Sequence, residues 1–241
     1  MSQLDLALLA EISTRHLSFV ETGRASPSRE MVLRLAEQLE VPLRDRNELL
    51  LSAGFAPAYA ETSVDSPHMA AVRDAIRQVL TGHEPYPAVV VDRGWNLVDA
   101  NRSVGFFMDQ IPAELLQPPI NVLRVSLHPR GMAPRIVNLA EWRRHLLVRL
   151  RRQIELTADD ELAELYAELR SYSSDGAEAT DSPTERSPVV APLRIRHGDG
   201  ELAFFSIVAS FGTPIDITVA ELAIESFFPA DEYTASALRR L

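Results

Sequence analysis

The sequence predicts two domains of different class: an all-α helix-turn-helix domain over residues 1–59 and, after a linker at 60–68, an α+β domain with an antiparallel sheet over 69–241. Three observations carry this. Short amphipathic segments, each with a capping serine in front of it, crowd the first forty residues. The stretch 60–67 is small, polar and without period, as an interdomain linker should be. Beyond it, two strand-like runs, a helical middle and three further strand-like runs follow in the order that suits an antiparallel sheet with helices on one face.

Ser2 caps a first helix at 3–10 with Leu6, Ala7 and Ala10 inward, and Ser13 caps a second at 14–21 that buries Leu17 and Val20. Only Glu11 and Ile12 separate them, so the two helices cross steeply and the outward side chains of the second are left to enter a major groove. Gly23 ends that helix in the left-handed conformation. Ser26, Pro27 and Ser28 start a third, in which Met31, Leu35 and Leu39 recur every four residues and Val32 and Ala36 widen the stripe.

In the second domain, Met69, Val72, Ile76 and Leu80 share one face of a helix over 69–80. Strands at 88–92 and 96–101 flank a turn at Arg93-Gly94. Helices are expected at 139–150 and 159–169, and a mobile loop rich in Ser, Asp, Thr, Gly and Pro near 171–188. Strands at 193–197 and 202–211 surround the Gly198-Asp199-Gly200 turn, and a last strand is expected from Asp216 to Phe227.

The segment 2–39 resembles the XRE-type regulators. Residues 41–57, VPLRDRNELLLSAGFAP, look like the last helix and exit of the subgroup called MmyB-like regulators, and the segments DRGWNLVDAN at 92–101 and ESFFPADE at 225–232 are similar to the opening and closing motifs of that family's C-terminal PAS-like domain. The resemblance implies a DNA-binding transcriptional regulator of double-stranded operator DNA whose second domain holds a small apolar ligand. It also implies a further helix ahead of Gln3, often arginine-rich, so the first domain reads as N-terminally incomplete, and it places Glu11 where the family usually has glycine. A non-glycine residue there costs on the order of 1 kcal/mol.

Composition adds limits. With 241 residues the chain suffices for one small and one larger domain, and the absence of cysteine excludes disulfides and thiolate metal sites. The N-terminus has no secretory pattern and no apolar run spans a bilayer, so a cytoplasmic protein without a membrane partner is expected. Every basic residue is arginine. Net charge is −10, and residues 1–60 hold six arginines against eight carboxylates, a deficit for a DNA-binding face that the implied upstream helix would offset. The six histidines show no ligand spacing and no serine sits in a nucleophile elbow, so no catalytic residue, metal or cofactor is expected and an enzyme finds little support.

The DNA-contacting candidates are Thr14, Arg15, His16 and Ser18 near the start of the second helix, where Arg15 can pair with guanine, and Gln3, Arg24 and Ser26 for phosphates. The candidates for an apolar ligand pocket are Trp95, Phe106, Phe107, Trp142, Leu146, Phe205 and Ile207, the last two on a strand apolar on both faces. A fatty acid or similar molecule is the expected occupant, its carboxylate meeting Arg143 or Arg149. Those aromatics equally suit a plain core. The basic run 142–152 reads first as the charged face of a solvated helix, with an anionic head group or a phosphate contact as alternatives. A homodimer is expected. Two other readings stay open: a second domain that serves only for dimerisation, and a ligand-binding protein that no longer binds DNA.

Overall fold

The computed structural model describes residues 2–172 and 191–240, so the expected loop near 171–188 lies outside them but for Ser171 and Tyr172. The chain forms two units: Met1–Val72 with Phe211–Glu221, and Arg73–Ser210 with Leu222–Leu241. In chain order the elements are α1 Gln3–Leu9, α2 Thr14–Glu21, α3 Arg29–Gln38, α4 Leu43–Ser52, α5 Ala70–Gly82, β1 Ala88–Val91, β2 Leu97–Ala100, α6 Gly105–Met108, α7 Val122–Leu127, α8 Leu139–Thr157, α9 Asp160–Ser171, β3 Leu193–His197, β4 Gly200–Ser210, α10 Ile217–Glu221, β5 Ala223–Pro229 and α11 Glu232–Leu238.

The first unit is helical because each segment begins on a side-chain cap. Ser2 and Asp5 form a reciprocal capping box at α1, Ser13 accepts a hydrogen bond from the His16 backbone N–H at 3.1 Å, and Ser28 accepts one from Met31 at 3.2 Å. Glu11 takes the turn between α1 and α2 at φ +54°, and Gly23 follows α2 at φ +70°. Ala7, Ala10, Leu17, Met31, Val32, Ala36 and Leu50 are buried. The stripe of α3 stops short of its expected length, since Leu39 is exposed, as are Leu4, Leu8 and Leu9 on α1.

The strand expected from Asp216 to Phe227 is corrected here: residues 217–221 form the helix α10, and β5 begins only at Ala223. The β-branched run Ile217-Thr218-Val219 signals a strand, but tertiary contacts within the first unit override that propensity. Asp216 accepts from the Thr218 N–H at 2.9 Å and from the Thr62 hydroxyl at 2.6 Å, which starts a helical turn. Ile217 and Val219 are buried, the Ile217 N–H reaches the Ala60 carbonyl at 2.8 Å, and Glu221 accepts from Arg44 Nε at 2.7 Å. Arg44 also holds Glu61, so residues 60–62 are tied to α4 and α10.

The second unit is an antiparallel sheet in the order β2-β1-β5-β4-β3, with β5 in the centre. One apolar cluster joins Val89, Phe204 and Phe227 of the sheet to Trp142, Leu146 and Leu150 of α8 and Leu162, Leu165 and Leu169 of α9. The helix expected at 139–150 extends to Thr157. β4 reaches from Gly200 to Ser210, but β3 pairs only with its first five residues, so Leu202 and Phe204 are fully buried while Ile207 and Val208 stand 52% and 44% exposed. Apolar faces on both sides do not make this strand buried along its whole length.

Candidate functional site

In the first unit, α2 presents Thr14, Arg15 and His16 to solvent, with Ser18 half-buried below them. Leu17 anchors the opposite side of the helix at 2% exposure. The Arg15 guanidinium lies 5.2 Å from the centre of the Phe19 ring, which leaves its N–H groups pointing outward along the helix. Gln3 donates to Glu21 at 2.5 Å, and Arg24 and Ser26 are exposed beyond the C-terminus of α2. Glu21 is thus the carboxylate nearest this cationic surface, and Gln3 occupies one of its oxygens. The arrangement offers two guanidiniums and several hydroxyls to a polyanion.

In the second unit, a cavity of about 570 Å³, counted to its mouth, opens between β1 and β5 on one side and α6, α7 and α8 on the other. Trp95, Phe107, Met108, Met132, Trp142, Leu146 and Phe227 make its wall. Each ring is fixed. The Trp142 indole N–H donates to Ser126 Oγ at 3.0 Å, and Trp95 donates to Gln153 Oε1 at 2.8 Å. Trp95 sits at φ +65°, a conformation a bulky residue rarely adopts. The Asp92 side chain accepts from the N–H groups of Gly94 and Asn96 on either side of it, both at 2.8 Å, and closes the turn that aims the indole inward.

The cavity has one polar corner. Glu225 lines it from the central strand, 6% exposed, between Val89 of β1 and Val208 of β4. Arg149 reaches Glu225 Oε2 at 3.3 Å while its guanidinium covers the Trp95 ring at 4.4 Å from the centroid. Ser126 is the other polar lining residue. His145 stacks on Trp142 with ring centroids 5.5 Å apart, and burial, followed by the Arg149 charge, holds its pKa below the ordinary histidine value.

Of the residues expected around an apolar ligand, Trp95, Phe107, Trp142 and Leu146 come together in this wall. Phe106 packs beside it under the Arg135 guanidinium, 5.2 Å away, Phe205 stacks on Phe228 at 5.4 Å, and Ile207 points to solvent. Arg149 stands at the polar corner, whereas Arg143 donates to the carbonyls of Leu169 and Arg170 at 3.2 and 2.7 Å. Sequence reasoning missed Glu225 and Ser126. The signal for Glu225 was a charge inside the apolar strand Ala223–Pro229, where only a paired carboxylate is stable.

Residues 72–241 match the family model described as MmyB-like transcription regulator ligand binding domain, and residues 1–45 match one described as Helix-turn-helix. Both are regulatory or ligand-binding domains and neither is an enzyme family. No curated protein matches the chain. Among the described residues no group of His, Cys, Asp or Glu could hold a metal, and no helix is long and apolar enough to cross a membrane.

Proposed function

The chain belongs to the MmyB-like transcription regulators, a DNA-binding regulator with a ligand-binding domain, and we propose that it reads its operator through α2 and responds to an elongated apolar molecule of fatty-acid type held in the cavity of the second unit. The observation that carries this reading is the cavity itself: about 570 Å³ walled by Trp95, Phe107, Trp142 and Leu146, the size and lining of a small-molecule site. On the DNA side, Thr14, Arg15, His16 and Ser18 meet base edges, while Gln3, Arg24 and Ser26 hold phosphates. The protein acts in the cytoplasm as a homodimer on a two-fold operator, because two recognition helices set one helical turn apart read two half-sites.

Two experiments test the two halves. Native mass spectrometry of the purified chain, followed by organic extraction, should recover an acyl or alkyl chain that a Leu146→Trp variant no longer retains. An empty cavity in both would leave the second unit as a dimerisation domain. Binding of the chain to its own promoter should lose about 1–3 kcal/mol of base discrimination in Arg15→Ala, with general affinity falling less. Unchanged sequence preference would remove Arg15 from the reading interface.

A further inference from the structure

The cavity wall is nearly saturated with respect to hydrogen-bond donors, and what it leaves over is acceptor capacity. Both indole N–H groups are committed, Trp95 to Gln153 and Trp142 to Ser126. Arg149 is engaged by Glu225 and the face of Trp95, and Arg143 is turned to backbone carbonyls on α9. Among the lining residues Glu225 alone carries a charge. Its Oε2 faces Arg149, while Oε1 takes no hydrogen bond among the described residues.

Resting on the reading that this cavity holds the ligand, we propose that Glu225 selects an elongated apolar molecule whose polar end donates a hydrogen bond, an alkyl alcohol or alkylammonium, over a fatty-acid anion. The physical reason is the sign of the wall. Arg149 and Glu225 together are neutral, but it is the carboxylate that belongs to the cavity lining, and the guanidinium stands behind it over Trp95. A second carboxylate brought to that corner meets a like charge in surroundings of low dielectric and finds no free donor beyond the Ser126 hydroxyl. A hydroxyl or ammonium instead donates to Oε1, and an ammonium gains charge complementarity as well. His145 and Glu141 are the other titratable groups near Arg149, and neither lines the cavity.

The test uses the full chain and three probes with the same chain length: dodecan-1-ol, dodecylamine and dodecanoate. Tryptophan fluorescence reads occupancy directly, because the chain has two tryptophans and both line the cavity. The alcohol and the amine are expected to bind at least about tenfold more tightly than dodecanoate, a difference of about 1.4 kcal/mol. In Glu225→Gln the advantage of the amine should vanish and dodecanoate should gain, since Arg149 is then freed of its anion. Dodecanoate binding as tightly as the alcohol in the unaltered chain would overturn the head-group inference and leave the ligand site standing. If none of the three quenches or shifts the fluorescence, the cavity is not a ligand site and both readings fall. The unaltered chain alone decides between these results, whatever the stability of the variant.

Discussion

At the scale of single residues, charges in this protein are held by partners rather than left to solvent, and the clearest case is Glu168. Arg124 Nε donates to both of its oxygens at 2.9 Å and Tyr172 donates a further hydrogen bond from its hydroxyl. Those donors favour the ionised form and hold the Glu168 pKa below the ordinary carboxylate value, the Arg124 bond being the largest cause. A lowered folded pKa means that the unfolded chain takes the proton first as the solution is acidified. The stabilisation is therefore complete above the ordinary carboxylate value and disappears as pH falls through the lower folded one. Both side chains are more than a third exposed, which keeps the effect to under about 1 kcal/mol. Thermal unfolding of Glu168→Gln against the parent should differ near neutrality and converge below about pH 3, where the parent's carboxylates are protonated; a constant offset at all pH values would deny the pair its role. His145 works in the other direction. Its neutral form is the one the fold prefers, so its contribution is present above the ordinary histidine value and declines below it.

At the scale of elements, β4 shows how far periodicity reaches. Its alternation is apolar on both faces, and the first half obeys the expected burial because β3 and the helices cover it; the second half has β5 on one edge and nothing of β3 on the other. Truncating Leu150, fully buried on α8, should cost about 2–5 kcal/mol as Leu150→Ala, whereas Ile207→Ala should cost under about 1 kcal/mol; both can be read from denaturant midpoints. Similar losses at the two sites would mean that Ile207 is covered in solution. The same limit governs what was legible. The capped helices α1 to α3, the strands around Gly198 and the ring-bearing wall of α8 carry their signal within ten or so residues, and local chemistry decides them. α10 does not: Ile217 to Val219 favour a strand by propensity, and only Asp216, Thr62 and Arg44, drawn from segments far apart in the chain, make it a helix. Glu225 was illegible as a site residue for the same reason, since its partner Arg149 lies 76 positions away.

At the scale of the whole molecule, the question is how a chain of net charge −10 holds a polyanion. The answer lies in distribution. Arg15 and Arg24 are the arginines on the candidate DNA surface, and Arg44 is committed to Glu61 and Glu221, which leaves about two phosphate-neutralising cations in each chain and four in a dimer. Counterion release then gives a slope of roughly −3.6 in a plot of log K against log salt, and raising salt from 50 to 200 mM should weaken operator binding about 150-fold. A regulator with six to ten phosphate contacts loses about 10³ to 10⁵ over the same interval. A shallow slope carries a consequence for specificity: with little non-specific attraction to begin with, base contacts from α2 must supply a larger share of the affinity. Arg24→Ala should lower the slope magnitude by close to one per chain and weaken all sequences alike, while Arg15→Ala should also level the difference between operator and random DNA. Fluorescence anisotropy at four salt concentrations separates these effects. A measured slope near −8 would place the DNA contacts on cations other than these two and move the interface off α2.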